Sequence, residues 1–191
     1  MRIVAGCLSG RGLHAPKIAG FRPTGDRVRE ALFSILGERV SSGTFLELFA
    51  GSGGVGIEAW SRGAPRVILV ERDAQAVSTI ERNLDDLGVD SRMQVIALDA
   101  IRALRGLALK ATSCAVVFAD PPYEYPRYPR LLRAIAEARI LQPGGVFVLE
   151  HAARVRPGNP PPALRLERTA RYGDGVLDFY EATPAPLGPP P

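Results

Sequence analysis

From residue 44 onward, short apolar runs alternate with longer amphipathic stretches. The runs at 44–49, 66–70, 93–97, 114–119 and 145–150 are rich in Val, Ile, Leu and Phe, the pattern of strands buried on both faces of a parallel sheet. Between them, helical spacing of apolar positions predicts helices near 54–62, 74–87, 100–108 and 128–138. Gly63 and Gly88 stand where two of these helices end and need a residue free to turn left-handed. Strand and helix alternating in this way predict an α/β domain with helices on both faces of the sheet. Beyond a loop from Arg154 to Ala163 that holds four prolines, 165–172 and 176–181 read as a closing hairpin through Gly173-Asp174-Gly175. Ahead of the domain, Thr24 is placed to cap a helix that continues to about Leu36, with Val28, Leu32 and Ile35 inward and Arg27, Arg29 and Glu30 outward. Residues Arg2 to Ala15 read as two short strands around Ser9-Gly10-Arg11-Gly12. The expected division is a hairpin arm over 1–23, a main domain over 24–182, and a proline-rich, disordered tail over 183–191.

Composition narrows the class. A chain of 191 residues with 46% hydrophobic residues fits one domain with a single core. Cys7 and Cys114 are distant in sequence and belong to no close pair, so neither a disulfide framework nor a metal site is expected. No sustained apolar run opens the chain, and nowhere do about 18 apolar residues follow one another. A cytoplasmic protein, and by default a monomer, is the expectation. Charge adds a location: residues 1–30 hold six basic residues against two acids, a net +4 that equals the formal charge of the whole chain. Of the 24 basic residues only Lys17 and Lys110 are lysines, and arginine is the better bidentate phosphate ligand. Arg2, Arg11, Arg22, Arg27 and Arg29 are therefore candidate nucleic-acid contacts.

Candidate chemistry sits at the strand ends. The first strand runs into Ala50-Gly51-Ser52-Gly53-Gly54-Val55-Gly56, so backbone can approach a ligand closely there. Glu71, 20 residues beyond Gly51, ends the second strand where it can hold ribose hydroxyls. That much fits NAD as well as S-adenosylmethionine (SAM). Two more acids separate them. Glu47 interrupts an apolar run, where an acid needs a cation or several donors, and a methionine ammonium is such a cation. Asp99 follows the third strand, placed either to accept from an adenine amino group or to cap the next helix; Asp73 is read as a cap alone. Three acids above one glycine loop suit a cationic nucleoside better than a pyrophosphate.

The fourth apolar strand ends in Asp120-Pro121-Pro122-Tyr123. Prolines fix the backbone, so their carbonyls and the Asp120 carboxylate can converge on one donor group, and an exocyclic NH2 is such a donor. Holding that amine against a sulfonium methyl contributes roughly 7–11 kcal/mol. Tyr123 can stack on the base, worth about 1–3 kcal/mol. The base must be unpaired or flipped out. Glu150 and His151, at the end of the next strand, face either the cleft or solvent.

Glu47-Leu48-Phe49-Ala50-Gly51-Ser52-Gly53 together with Asp120-Pro121-Pro122-Tyr123 is similar to the class I amino-methyltransferases. Arg2-Ile3-Val4-Ala5-Gly6, Gly10-Arg11, Arg22-Pro23-Thr24 and Asp26-Arg27-Val28-Arg29-Glu30 resemble the RsmD family, and the match runs from residue 2 to about 181. The chain departs from that pattern at Glu47, where members usually carry Asp, and at Ser9, near which they carry a basic residue. The resemblance implies a seven-stranded Rossmann-like methyltransferase fold and transfer of methyl from SAM to N2 of a guanine in 16S ribosomal RNA, with S-adenosylhomocysteine as product. It implies a cofactor set of Glu47, Phe49, Gly51, Ser52, Gly53, Glu71, Arg72, Asp99 and Ala100, the amine at Asp120 to Tyr123, and an assembling small ribosomal subunit as partner.

Three other readings remain open on sequence. An adenine-N6 DNA methyltransferase shares the Asp-Pro-Pro-Tyr turn, but only 20 residues separate Asp99 from Asp120, too few for a target-recognition domain. An NAD-dependent oxidoreductase has no use for that turn. A non-catalytic ribosome-assembly protein would keep the RNA contacts without the chemistry.

Overall fold

The computed structural model describes residues 1–18, 23–89, 91–122 and 125–183. Along them run α1 (Asp26–Leu36), β1 (Thr44–Leu48), α2 (Gly54–Ser61), β2 (Arg66–Glu71), α3 (Ala74–Leu87), β3 (Met93–Ala97) and α4 (Ala100–Leu109). They continue with β4 (Cys114–Ala119), α5 (Tyr128–Ala138), β5 (Leu141–Ala152), β6 (Leu164–Tyr172) and β7 (Gly175–Ala182). The elements fall where the periodicity predicts them. The seven strands form one sheet in the order β3-β2-β1-β4-β5-β7-β6. All pairings from β3 across to β5 are parallel, and β7 is antiparallel to both β5 and β6. Because β2 and β3 extend the sheet to one side of β1 and β4 extends it to the other, a crevice opens beyond the carboxyl ends of β1 and β4, where the chain order reverses.

Strand alternation splits the core into two layers. Phe45, Val67, Leu69 and Phe118 pack with Leu32, Phe33, Ile57 and Ile80 of α1, α2 and α3. Leu46, Leu48, Val117 and Phe147 pack with Leu104, Leu107, Leu131 and Ile135 of α4 and α5. Asp73 caps α3 through the Gln75 and Ala76 N–H groups, and Gly88 ends it in the left-handed region at φ 63. Among the described residues no helix is long and apolar enough to cross a membrane.

The N-terminal segment departs from its expected form. In place of two strands it makes one antiparallel bridge, Arg2 with Gly12, because the chain between them turns to bond α2. The Cys7 N–H donates to Ser61 O at 2.8 Å, and the Ser61 hydroxyl donates to Ala5 O at 2.7 Å. Gly6 has φ +87, and a Cβ there would meet Ser61 O at 2.0 Å, so only glycine fits. Ile3 and Leu13 are buried in the α1–α3 layer, so the segment is docked on the domain. The expected tail lies beyond Thr183, outside the described residues.

Arg29 is a second departure. Expected outward as an RNA contact, it is only 1% exposed. Its Nε donates to Glu58 Oε2 at 3.0 Å, Nη1 to Thr24 O at 2.8 Å, and Nη2 to Arg2 O at 2.6 Å and Asp26 Oδ1 at 2.9 Å. Glu58 is fully buried and also takes Arg62 at 2.7 Å. The reason is a local one: Glu58 lies on the inner face of α2, and burying an acid there requires a cation from the helix opposite. Arg29→Ala is expected to lower unfolding free energy by about 3–5 kcal/mol in urea denaturation, since Glu58 would lose its buried partner. A loss below about 1 kcal/mol would show the pair to be incidental.

Candidate active site

The site is built where β1 ends. Phe49 takes φ 59, a left-handed conformation that costs a residue with a Cβ about 1–3 kcal/mol and recurs at functional sites. The turn throws Ala50 to Gly53 across the strand end, closed by the Gly53 N–H to Ala50 O at 2.7 Å. At Gly56 the helix presses on the sheet: a Cβ would meet Leu69 Cδ2 at 2.4 Å and Glu47 Oε2 at 2.9 Å. That close approach delivers the Gly56 N–H to Glu47 Oε2 at 2.7 Å. Glu47 is 3% exposed, and burial pushes its carboxyl up to about 8 against the lowering effect of the Gly56 and Val55 amides. Glu47 and Ser52 line a small hollow with Asp120 and Met1.

Glu71 holds the loop as well as facing the cleft. Its Oε2 accepts from the Gly51 N–H at 2.9 Å, and its Oε1 from the Arg72 and Asp73 N–H groups at 2.7 and 2.9 Å. A carboxylate has about four lone-pair positions, so one remains for a ligand hydroxyl. Asp99 resolves toward the cap: its Oδ1 takes the Ile101 and Arg102 N–H groups at 3.0 and 3.3 Å. Ala100 is buried in the α4 layer.

Across the crevice stands the end of β4. A cleft of about 490 Å³ has Phe49, Gly51, Glu71 and Arg72 on its β1–β2 side and Asp120, Pro121 and Pro122 on its β4 side. Its size suits a small-molecule site, roughly 300–1,000 Å³. Pro122 O already accepts from the Tyr125 N–H at 2.8 Å, so the expected convergence of both proline carbonyls falls mainly to Pro121 and the Asp120 carboxylate. Tyr123 and Arg22 lie outside the described residues.

Thr24, expected to cap α1, does something else: Gly25 holds the cap position, and the Thr24 hydroxyl donates to Asp120 Oδ2 at 3.3 Å. Asp120 is raised well above the ordinary carboxylate range by burial and then by the neighbouring Glu150. Burial pushes Glu150 up to about 7, opposed by the Thr24 hydroxyl and His151. Glu150 Oε2 is buried and has no hydrogen-bond partner among the described residues. Thr24 is thus the site residue that sequence reasoning read only as a cap, and Glu150 the one whose facing it left open. Their only sequence signal was position, one before a helix and one at a strand end.

Phe49, Tyr125, Tyr128 and His151 form a row of edge-on rings with centroids 5.3, 5.4 and 6.4 Å apart. His151 itself turns away, with Nε2 3.0 Å from Asp178 Oδ2; Asp178 Oδ1 also accepts from the Thr169 hydroxyl at 2.6 Å, so the cluster ties β5, β6 and β7. Of the arginines expected to meet RNA, Arg27 is exposed. Arg2 is exposed and 3.6 Å from Asp26, and Arg11 donates to Asp86 O at 2.9 Å.

The residues present fit SAM. Glu47 is a buried acid whose ionised form lacks a full counter-charge, the environment a ligand ammonium satisfies; Glu71 offers an acceptor on the cleft rim; and Gly51 of the glycine loop lines the same cleft. A seven-stranded sheet with this glycine loop after β1 and Asp-Pro-Pro after β4 defines a class I SAM-dependent methyltransferase. A family profile described as conserved hypothetical protein 95 matches residues 1–181. The "Putative rRNA methyltransferase YlbH" of Bacillus subtilis is 39% identical over 95% of this chain and 98% of its own length. "Ribosomal RNA small subunit methyltransferase D" of Haemophilus influenzae is 34% identical over 78% of each chain. The solved "Putative methyltransferase yhhF" of Escherichia coli superposes with a TM-score of 0.81 at 30% identity, over 95% of this chain and 97% of that one. The chain belongs to this family, the RsmD family of rRNA methyltransferases.

Glu47 gives the domain a testable pH signature. Its folded value, about 8, lies above its ordinary 4.5, so between those limits the folded chain holds a proton that the unfolded chain has released. Stability from this group is therefore lost as pH rises through that window, by up to about 5 kcal/mol. Glu47→Gln keeps an acceptor for Gly56 and should flatten the decline between pH 5 and 8 in urea titrations of the ligand-free protein. An unchanged slope would show that Glu47 is ionised throughout.

Proposed function

We propose that this protein transfers a methyl group from SAM to the exocyclic N2 of a guanine in the 16S rRNA of the small ribosomal subunit, in the cytoplasm. One observation carries the chemistry: Asp120 and Pro121 at the end of β4 face Gly51 of the glycine loop and Glu71 of β2 across a single cleft, and Asp120 shares an adjoining hollow with Glu47 of β1. The small-subunit target rests on the descriptions of the relatives and guanine on the resemblance of the N-terminal motifs.

When bound, SAM supplies an electrophilic methyl on a sulfonium. Glu47 would hold the ammonium, Gly51, Ser52 and Gly53 would line its path, Glu71 and Arg72 would meet the ribose, and Phe49, Asp99 and Ala100 would hold the adenine. Asp120 and Pro121 accept the two amine hydrogens, which keeps the nitrogen lone pair directed outward. Thr24 fixes the Asp120 carboxylate through its hydroxyl. Tyr123 stacks on the extruded base. As the N–C bond forms, the methyl–sulfur bond would break with its electron pair going to sulfur, S-adenosylhomocysteine would leave, and the amine must shed one proton. Asp120 takes it, and Glu150, its buried neighbour, shares the resulting charge balance. A carboxyl pair raised by burial is suited to this task because its proton affinity exceeds that of an ordinary carboxylate.

Labelled methyl from SAM should appear as N2-methylguanine in unmethylated 16S rRNA, free or in assembling subunits, and Asp120→Ala should lower the rate by about 100-fold or more. N6-methyladenine, or RNA binding without product, would overturn the reading. Because Glu150 is protonated below about 7, the rate should rise through that pH, and Glu150→Gln should lower kcat and remove the inflection. A variant that keeps the wild-type profile would take Glu150 out of the proton path.

A further inference from the structure

The helical layer opposite the docked N-terminal segment is strongly basic. On α4, Arg102 and Arg105 are exposed, followed by Lys110, and residues 100–110 contain no acid. On α5, Arg130 and Arg133 are exposed between Arg127 and Arg139, with Glu137 the one acid over 127–139. The apparent neutrality of the chain beyond residue 30 conceals this, because Glu47, Glu58 and Asp178 lie inside the fold while other acids, such as Asp86, pair elsewhere on the surface.

None of Arg102, Arg105, Arg130 and Arg133 makes an ion pair among the described residues. Each helix places two of them three residues apart, where side chains are neighbours and like charges destabilise the helix. Between the helices runs a groove of about 640 Å³ lined by Arg105, Arg130 and Arg133 over a floor that includes Ile101 and Ala134. At its far end Leu109 is 90% exposed.

We propose that this α4–α5 groove is a second RNA-binding surface, holding the phosphate backbone of nucleotides that flank the target base. The inference rests on the reading that the substrate is RNA. Charge complementarity fixes the occupant: unpaired guanidinium groups with a single acid among them match a polyanion, and arginine binds phosphate bidentately. Position supports it. Arg102 lies in the first turn of α4 and Arg127 directly precedes α5, so both stand at the carboxyl ends of the strands where the cleft opens. From there α5 carries its charges away from the cleft over about 16 Å of helix. A flipped base needs its neighbours held on both sides, and the exposed Arg27 and Arg2 serve only the α1 side.

The test is the salt dependence of binding to an unmethylated 16S rRNA fragment, with the wild type compared with the Arg105→Gln/Arg130→Gln/Arg133→Gln triple variant. Each phosphate contact contributes about 0.7–0.9 to the slope of log K against log salt, so the triple variant should lower it by about 2 to 3. SAM protection in thermal melts should be retained. A control triple, Arg39→Gln/Arg66→Gln/Arg82→Gln, at the amino ends of the strands and on α3, should leave the slope unchanged. Equal slopes for the wild type and both variants would overturn the groove, whether or not N2-methylguanine is formed. Failure of the wild type to make that product, with the slope still lowered by the groove variant, would overturn the activity and leave the surface standing. Weaker binding only to protein-containing subunits, with naked RNA unaffected, would assign the groove to a protein and overturn it as an RNA site.

Discussion

Arg29 is the constraint on which the rest of the site depends. A guanidinium has five donors in a fixed fork, and here they reach Glu58 on α2, Asp26 on its own helix, and the backbone of both Thr24 and Arg2. One buried side chain thereby fixes where α1 meets α2, where the N-terminal segment crosses, and where Thr24 stands. Because Thr24 in turn donates to Asp120, an ion pair in the α1–α2 layer sets the position of a carboxylate at the end of β4. A buried pair of this kind adds little net stability over an apolar one, but its geometry is far less tolerant. Asn83 performs a related task nearby, exchanging hydrogen bonds with the His14 backbone and donating to Ser52 O at 3.0 Å, which ties the docked segment to the glycine loop.

The acids of the cleft show a division of labour set by burial. Glu71 takes three backbone amides, which makes it an organiser of the loop, and keeps one acceptor position free on the cleft side. Glu47, Asp120 and Glu150 are raised by desolvation and lack full counter-charges, which is the state that favours a cationic ligand at one end and proton acceptance at the other. Asp178 has the opposite outcome: three side-chain partners, led by His151, pull its value down despite burial. The difference lies in the number of donors each acid meets.

Much of this architecture was legible because it follows from local rules. β1, β4 and α3 were readable from periodicity, and Asp73 and Gly88 from the capping chemistry that ends a helix. Gly51 to Gly56 and Asp120 to Pro122 announced themselves as backbone devices at strand ends. The illegible part is long-range pairing. Thr24 looks like a cap because Ser and Thr before a helix usually are; what redirects it is Asp120, 96 residues away. Arg29 looks like a surface arginine because helical spacing alone cannot reveal that the facing position on α2 is an acid. Glu150 belongs to an apolar strand whose last residue points into the cleft or out of it, according to a register that only the β4 and β7 pairings fix.

Charge shows the same limit from the other side. Net charge along the sequence favours the first 30 residues as the RNA contact, but folding redistributes it: Arg29 goes inside, Arg2 sits beside Asp26, and Arg11 leans on the α3 backbone. On α4 and α5 the arginines are invisible to a running sum because acids elsewhere in the chain cancel them, yet several of those acids, Glu47, Glu58, Asp86 and Asp178 among them, are buried or paired with other cations. An electrostatic field is a property of surfaces, and the surface that emerges flanks the cleft on two sides. With about 20 residues between the third strand and the Asp120 turn, no separate recognition domain is present among the described residues. The helices that cover the sheet must therefore carry whatever grip on the polyanion the α1 side leaves unmade.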